Sequence, residues 1–134
     1  MAGAARKAQI LIYRLYLQGA AVERATKRVD AAKSALPQSE AQNRRAAEEL
    51  KTYEEMRNSL DDAARRNQLQ DVIPRFKTNL EASLAEQQEL QTKEIALEEE
   101  LRIEQAKFDR LQGELERLDK ALEISETDPR KRER

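Results

Sequence analysis

The chain contains no cysteine, no histidine and no tryptophan among its 134 residues. Without Cys and His, the usual nucleophile–base pairs, zinc ligand sets and proton shuttles cannot be built, and no disulfide can form. Glycine is equally scarce. Gly3, Gly19 and Gly113 stand alone in sequence, so there is no phosphate-cradling loop. Aromatics make up only 4% of the chain, and β-branched runs between turn signals are missing, which removes strands from consideration. No long apolar run exists either. Ile10-Leu11-Ile12-Tyr13 continues as Leu15-Tyr16-Leu17 but is broken by Arg14. That stretch is too short to span a bilayer, and no small-residue cleavage site with the right flanks follows it. Neither sign of charge dominates: the formal net charge is −1, which argues against a general attraction to nucleic acid or anionic membrane. Together these absences predict a protein that is not an enzyme, needs no cofactor or metal, and is soluble where it is made.

What is present is charge, at 38% of residues, with apolar residues arranged in narrow stripes. Starting at Leu11, spacings alternating between four and three pick out Leu11, Leu15, Gln18, Val22, Ala25, Val29, Ala32 and Leu36. The same phase continues through Ser39, Asn43, Ala46, Leu50, Tyr53, Arg57 and Leu60. This is a heptad seam, apolar every 3.5 residues on average. It keeps phase across Pro37, so the expectation is one helix over about 5–63, bent near Pro37. A second seam runs through Phe76, Leu80, Ser83, Gln87, Leu90, Glu94, Leu97, Leu101, Glu104, Phe108, Leu111, Leu115, Leu118 and Leu122. It predicts a helix over about 74–126, with Asp71 as N-cap and Pro74 in the first turn.

Two helices of about 50 residues, each about 75 Å long, joined by a short connection should lie antiparallel. The fold expected is therefore all-α: a long antiparallel two-helix coiled-coil hairpin over 1–126 with a turn at about 64–73. A disordered charged tail is expected over 127–134. A turn centred near residue 68 would set Leu60 against Phe76, Leu36 against Leu101, Phe108 over Val29, and Asn43 near Glu94. A single chain is the expected functional unit.

Two groups of residues are candidates for contact with other proteins. A hairpin covers only one side of the stretch from Ile10 to Leu17, which leaves Ile12, Tyr13 and Tyr16 in need of a partner. Near the turn, Tyr53, Met56, Phe76 and Leu80 gather several of the few large side chains, as core or as a binding surface. Glu98-Glu99-Glu100 and the terminal Arg130-Lys131-Arg132 with Arg134 read as solvated charge.

These residues also carry a resemblance. VERATKRV at 22–29, then Ala35-Leu36, Tyr53 and Met56-Arg57, resemble the first helix of the YscO branch of the FliJ/YscO family, in which a Tyr-x-x-Trp-Arg element follows an Arg/Leu-rich helix. Met56 stands in the Trp position, and the acidic pair that follows is displaced to Asp61-Asp62. FKTNLEASL at 76–84 resembles the start of that family's second helix. The resemblance implies a coiled-coil stalk of a bacterial type III export system, flagellar or injectisome. Such a stalk would be cytoplasmic and peripheral to a membrane-embedded export apparatus, inserted in the hexameric export ATPase, and in contact with the export gate protein and export chaperones. It would carry Tyr53, Met56, Arg57, Phe76 and Leu80 to the gate, and Ile12, Tyr13, Arg14, Tyr16, Arg24 and Arg28 to the ATPase. No nucleic acid and no membrane insertion are implied. The second seam also resembles the small coiled-coil subunit of the eukaryotic THO mRNA-export complex, which would make the chain a structural scaffold instead.

Overall fold

The computed structural model describes residues 2–127. It contains two helices, α1 over Ala2–Ser59 and α2 over Ala63–Thr127, which pack against each other as an all-α helical hairpin. Among the described residues there is no strand. The expected tail falls at 127–134. Thr127 is the last residue of α2, and residues 128–134 lie outside the described part.

Both helices run through a proline. Pro37 lies inside α1 and Pro74 inside α2, and each costs its helix one backbone hydrogen bond. Both prolines are exposed, so water can take the place of the missing donor. Pro37 therefore does not break α1.

The connection is shorter and earlier than the sequence suggests. The helices are separated only by residues 60–62, not by a turn at 64–73. Leu60 N–H still donates to the Met56 carbonyl at 3.1 Å, which closes α1. Asp62, and not Asp71, caps α2: its Oδ1 accepts from Ala64 N–H at 3.0 Å while its carbonyl takes the first helical bond from Arg66 N–H. Pro74 consequently sits a full three turns inside α2 rather than in its first turn. Every residue from 61 to 68 is exposed, so the start of α2 takes no part in the seam.

Moving the connection moves the pairing. Tyr53, not Leu60, meets Phe76, with ring centroids 5.4 Å apart in an edge-to-face arrangement. Asn43 meets Gln87 and not Glu94. In each case the partner differs by seven residues from the one expected, which is one heptad. Phe108 approaches Gly19, at 3.5 Å from where a Cβ would lie, nearer the start of α1 than the Val29 expected. A slip of one heptad leaves the same residues in the seam, so periodicity alone could not separate the two registers.

The chain divides into two compact units, each built from both helices: Met1–Val29 with Leu97–Arg134, and Asp30–Ala96. In the first unit the best-buried side chains are Ala25 and Val29, and Gln18 and Glu104 form a polar layer. The Gln18 amide donates to the Glu104 carbonyl at 2.9 Å and to its carboxylate. That hydrogen bond is the main reason the Glu104 carboxyl titrates below the ordinary range. Partial desolvation opposes it, and Lys107 and Arg24 add to it. A lowered carboxylate pKa supports the fold above the ordinary carboxylate value, and that support is lost as pH falls through the lowered one.

In the second unit, Ala32 and Ile73 are buried, and Asn43 is the buried polar group, only 6% exposed. Its amide donates to the Gln87 side-chain oxygen at 2.7 Å and to the Ser83 carbonyl at 3.1 Å. A slip of one heptad would put either Leu80 or the Glu94 carboxylate where Asn43 now meets the Gln87 amide, so the neutral pair is lost in one case to an apolar side chain and in the other to a charge drawn into the seam. Beside Leu80 the amide would lack its side-chain acceptor, and a buried polar group without a partner costs about 1–3 kcal/mol, so this layer helps to select the register observed. Replacing both Asn43 and Gln87 with Leu is expected to raise the melting temperature and loosen the register. Spin labels at Glu49 and Glu81, both exposed, should then report a second distance beside the native one, since one heptad is about 10 Å of helix rise. A single unchanged distance would show that the register is set elsewhere.

Candidate functional site

Among the described residues no group of His, Cys, Asp or Glu could hold a metal ion, and no helix is long and apolar enough to cross a membrane. The hollows along the molecule are open surface grooves. The features that stand out are apolar side chains left outside the seam, and they fall into a set within each unit.

In the first unit, α1 lays Leu11, Leu15, Gln18 and Val22 against α2. A helix 3.5 residues per turn in this packing has only one side covered. Ile10, Ile12, Tyr13, Tyr16 and Leu17 project from the rest of the circumference, with Tyr13 64% and Tyr16 75% exposed. The expectation that Ile12, Tyr13 and Tyr16 are left uncovered by the hairpin is met. Ile10 and Leu17 belong with them, and their places outside the heptad phase were the signal for it. Arg14, Arg24 and Arg28 are exposed on the same helix. Arg28 reaches across to Glu100 at 2.9 Å. Arg14 makes no ion pair or hydrogen bond among the described residues, and Arg24 lies near enough to Glu104 to lower its pKa.

In the second unit, the Tyr53–Phe76 ring pair is part of the seam and half-buried, as are Arg57 and Leu80. Phe76 and Leu80 line one shallow groove together with Ala46 and Ser83. Met56 is exposed. The Glu54–Lys77 ion pair, 3.3 Å long, marks one flank of this seam. Three residues past Tyr53 and four before Phe76, Met56 and Val72 fall on the other flank, both exposed. Val72 carries no signal of its own in the sequence, because it lies in the stretch 64–73 expected to form the turn. The structure thus brings Tyr53, Phe76 and Leu80 together and leaves both Met56 and Val72 exposed.

The fold and these surfaces define the class: a two-helix antiparallel coiled coil with uncovered apolar side chains in both of its units. Compared with family models, with curated proteins and with solved structures, the chain matches none of them.

Proposed function

We propose that this chain is the coiled-coil stalk of a bacterial type III protein export apparatus, a cytoplasmic adaptor with no catalytic activity of its own. It would insert in the hexameric export ATPase and contact the export gate and export chaperones. One observation carries the reading: a two-helix hairpin that keeps Ile12, Tyr13 and Tyr16 uncovered beside exposed arginines. A rod at the centre of a six-fold ring must touch its subunits unequally, and side chains of this kind are what it would use to do so. Arg14, Arg24 and Arg28 would supply the charged part of the ATPase contact. Tyr53, Met56, Arg57, Phe76 and Leu80 would face the export gate.

The two contacts are separable by mutation. Changing Tyr53 and Phe76 to Ala is expected to weaken binding to a purified export-gate domain while sparing stimulation of the ATPase. Because the pair is also part of the seam, circular dichroism would first establish that the variant is folded. Loss of both functions in a folded variant would break the assignment of separate surfaces.

A scaffold role, as in a THO-like assembly, is the second reading. It draws on the exposed Leu84 and Ile95 of α2, which suit pairing with a partner's coiled coil.

A further inference from the structure

The first unit carries more apolar surface on α1 than its seam with α2 uses, and that surplus is itself periodic. Ile10, Tyr13, Leu17 and Ala20 follow spacings of three, four and three, the rhythm of a heptad seam. At 3.5 residues per turn this stripe lies on the side of α1 away from Leu11, Leu15, Gln18 and Val22. Ile10, Tyr13 and Leu17 are all exposed, and Ala20 is half-exposed. The segment is thus a helix with two seams, one of them filled by α2.

The flank of the second seam has a definite charge. Lys7, Arg14 and Arg28 occupy equivalent positions, seven or fourteen residues apart. Arg28 is already engaged by Glu100. Lys7 and Arg14 make no ion pair or hydrogen bond among the described residues, and no carboxylate of α1 lies between Ala2 and Val22. In coiled coils the residues flanking the seam choose the partner through charge. This flank favours carboxylates and repels a second basic helix.

We propose that the second seam of α1 takes an acidic amphipathic helix of another protein as a third strand of this unit. That helix would present apolar residues at heptad spacing to Ile10, Tyr13 and Leu17, and Glu or Asp to Lys7 and Arg14. The inference does not rest on the stalk reading. Tyr13 and Arg14 are shared with the proposed ATPase contact, whereas Ile10 and Leu17 are not, so variants at Ile10 and Leu17 test occupation of this seam apart from ATPase stimulation.

The test uses the full chain and two synthetic three-heptad helical peptides with the same leucine seam, one flanked by Glu and one by Lys. Fluorescence anisotropy at low salt should show the Glu peptide binding at least about tenfold more tightly, a difference of roughly 1.4 kcal/mol. Salt should narrow the gap. Ile10→Glu and Leu17→Glu, at exposed positions, should keep helicity and abolish binding, with amide shifts in the wild type confined to the first turns of α1. Four results would overturn the proposal: no binding of the Glu peptide, equal binding of both peptides, a folded Leu17→Glu variant that binds normally, or amide shifts confined to another region. Parallel arms ask whether the wild type instead binds phosphatidylserine vesicles, or dimerises in sedimentation equilibrium, through these same residues. Either outcome would replace the acidic helix with a different occupant.

Discussion

Replacing Ile73 with Ala is expected to destabilise the protein by about 2–5 kcal/mol and lower its melting temperature by on the order of 10 °C. Ile73 is 2% exposed and is the largest of the buried apolar side chains, the others being Ala25, Val29 and Ala32. A hairpin of two helices has one layer of core, so no second shell can collapse into the cavity left by three lost carbons. The leucines of the second seam are different. Leu111, Leu115 and Leu118, in the half of that seam where every position from Phe108 to Leu122 is apolar, are only half-buried. An alanine at Leu115 removes less buried surface and should cost less than one at Ile73. Thermal melts of the two variants decide the order, and amide exchange should quicken within residues 30–96 for Ile73→Ala. If Leu115→Ala proves the more damaging, the burial pattern is wrong.

Reversing Arg14, Arg24 and Arg28 to Glu is expected to leave the hairpin folded and abolish stimulation of the cognate export ATPase. None of the three side chains is buried. The ion pair among them, Arg28–Glu100, is solvent-exposed, and such pairs contribute about 0–1 kcal/mol. Losing it and placing Glu opposite Glu100 is therefore a small cost against the seam. The effect on binding is much larger, because clusters of one sign raise association rates by roughly 10–10³-fold at low salt. Stimulation would be measured as phosphate release by the ATPase with wild-type or variant chain, at low and moderate salt. A folded triple variant that stimulates as well as wild type would remove these arginines from the contact.

Much of the fold was legible because the heptad pattern is a local property. Every position from Leu11 to Leu60 picked out by spacing, and every one from Phe76 to Leu122, is buried or half-buried. The connection was not legible, for a physical reason. Ser59-Leu60-Asp61-Asp62 carries no Gly or Pro, whereas Asp71-Val72-Ile73-Pro74 looks like a helix start. An exposed proline three turns into a helix supported by tertiary packing is tolerated, so the strongest breaker signal marked no break. Leu69 and Ile73, the continuation of the second seam, were hidden by that same misplacement, and Val72 with them. Register followed, since a heptad pattern repeats after each slip and specific contacts such as the polar layers Gln18–Glu104 and Asn43–Gln87 distinguish one slip from the next. The uncovered set on α1 was legible for the opposite reason. Tyr13 and Tyr16 fall outside the seam, and no register of a two-helix hairpin can cover them.

The stalk role makes a stoichiometric demand that scaffold pairing does not. A rod that fills the centre of a ring can be present only once. The direct measurement is the mass of the complex between the purified chain and the assembled export ATPase, by native mass spectrometry or analytical ultracentrifugation at low salt. The expected result is one copy of this chain per hexamer, saturating at that ratio even with the chain in excess. One copy per ATPase subunit, or no complex at all, would contradict it.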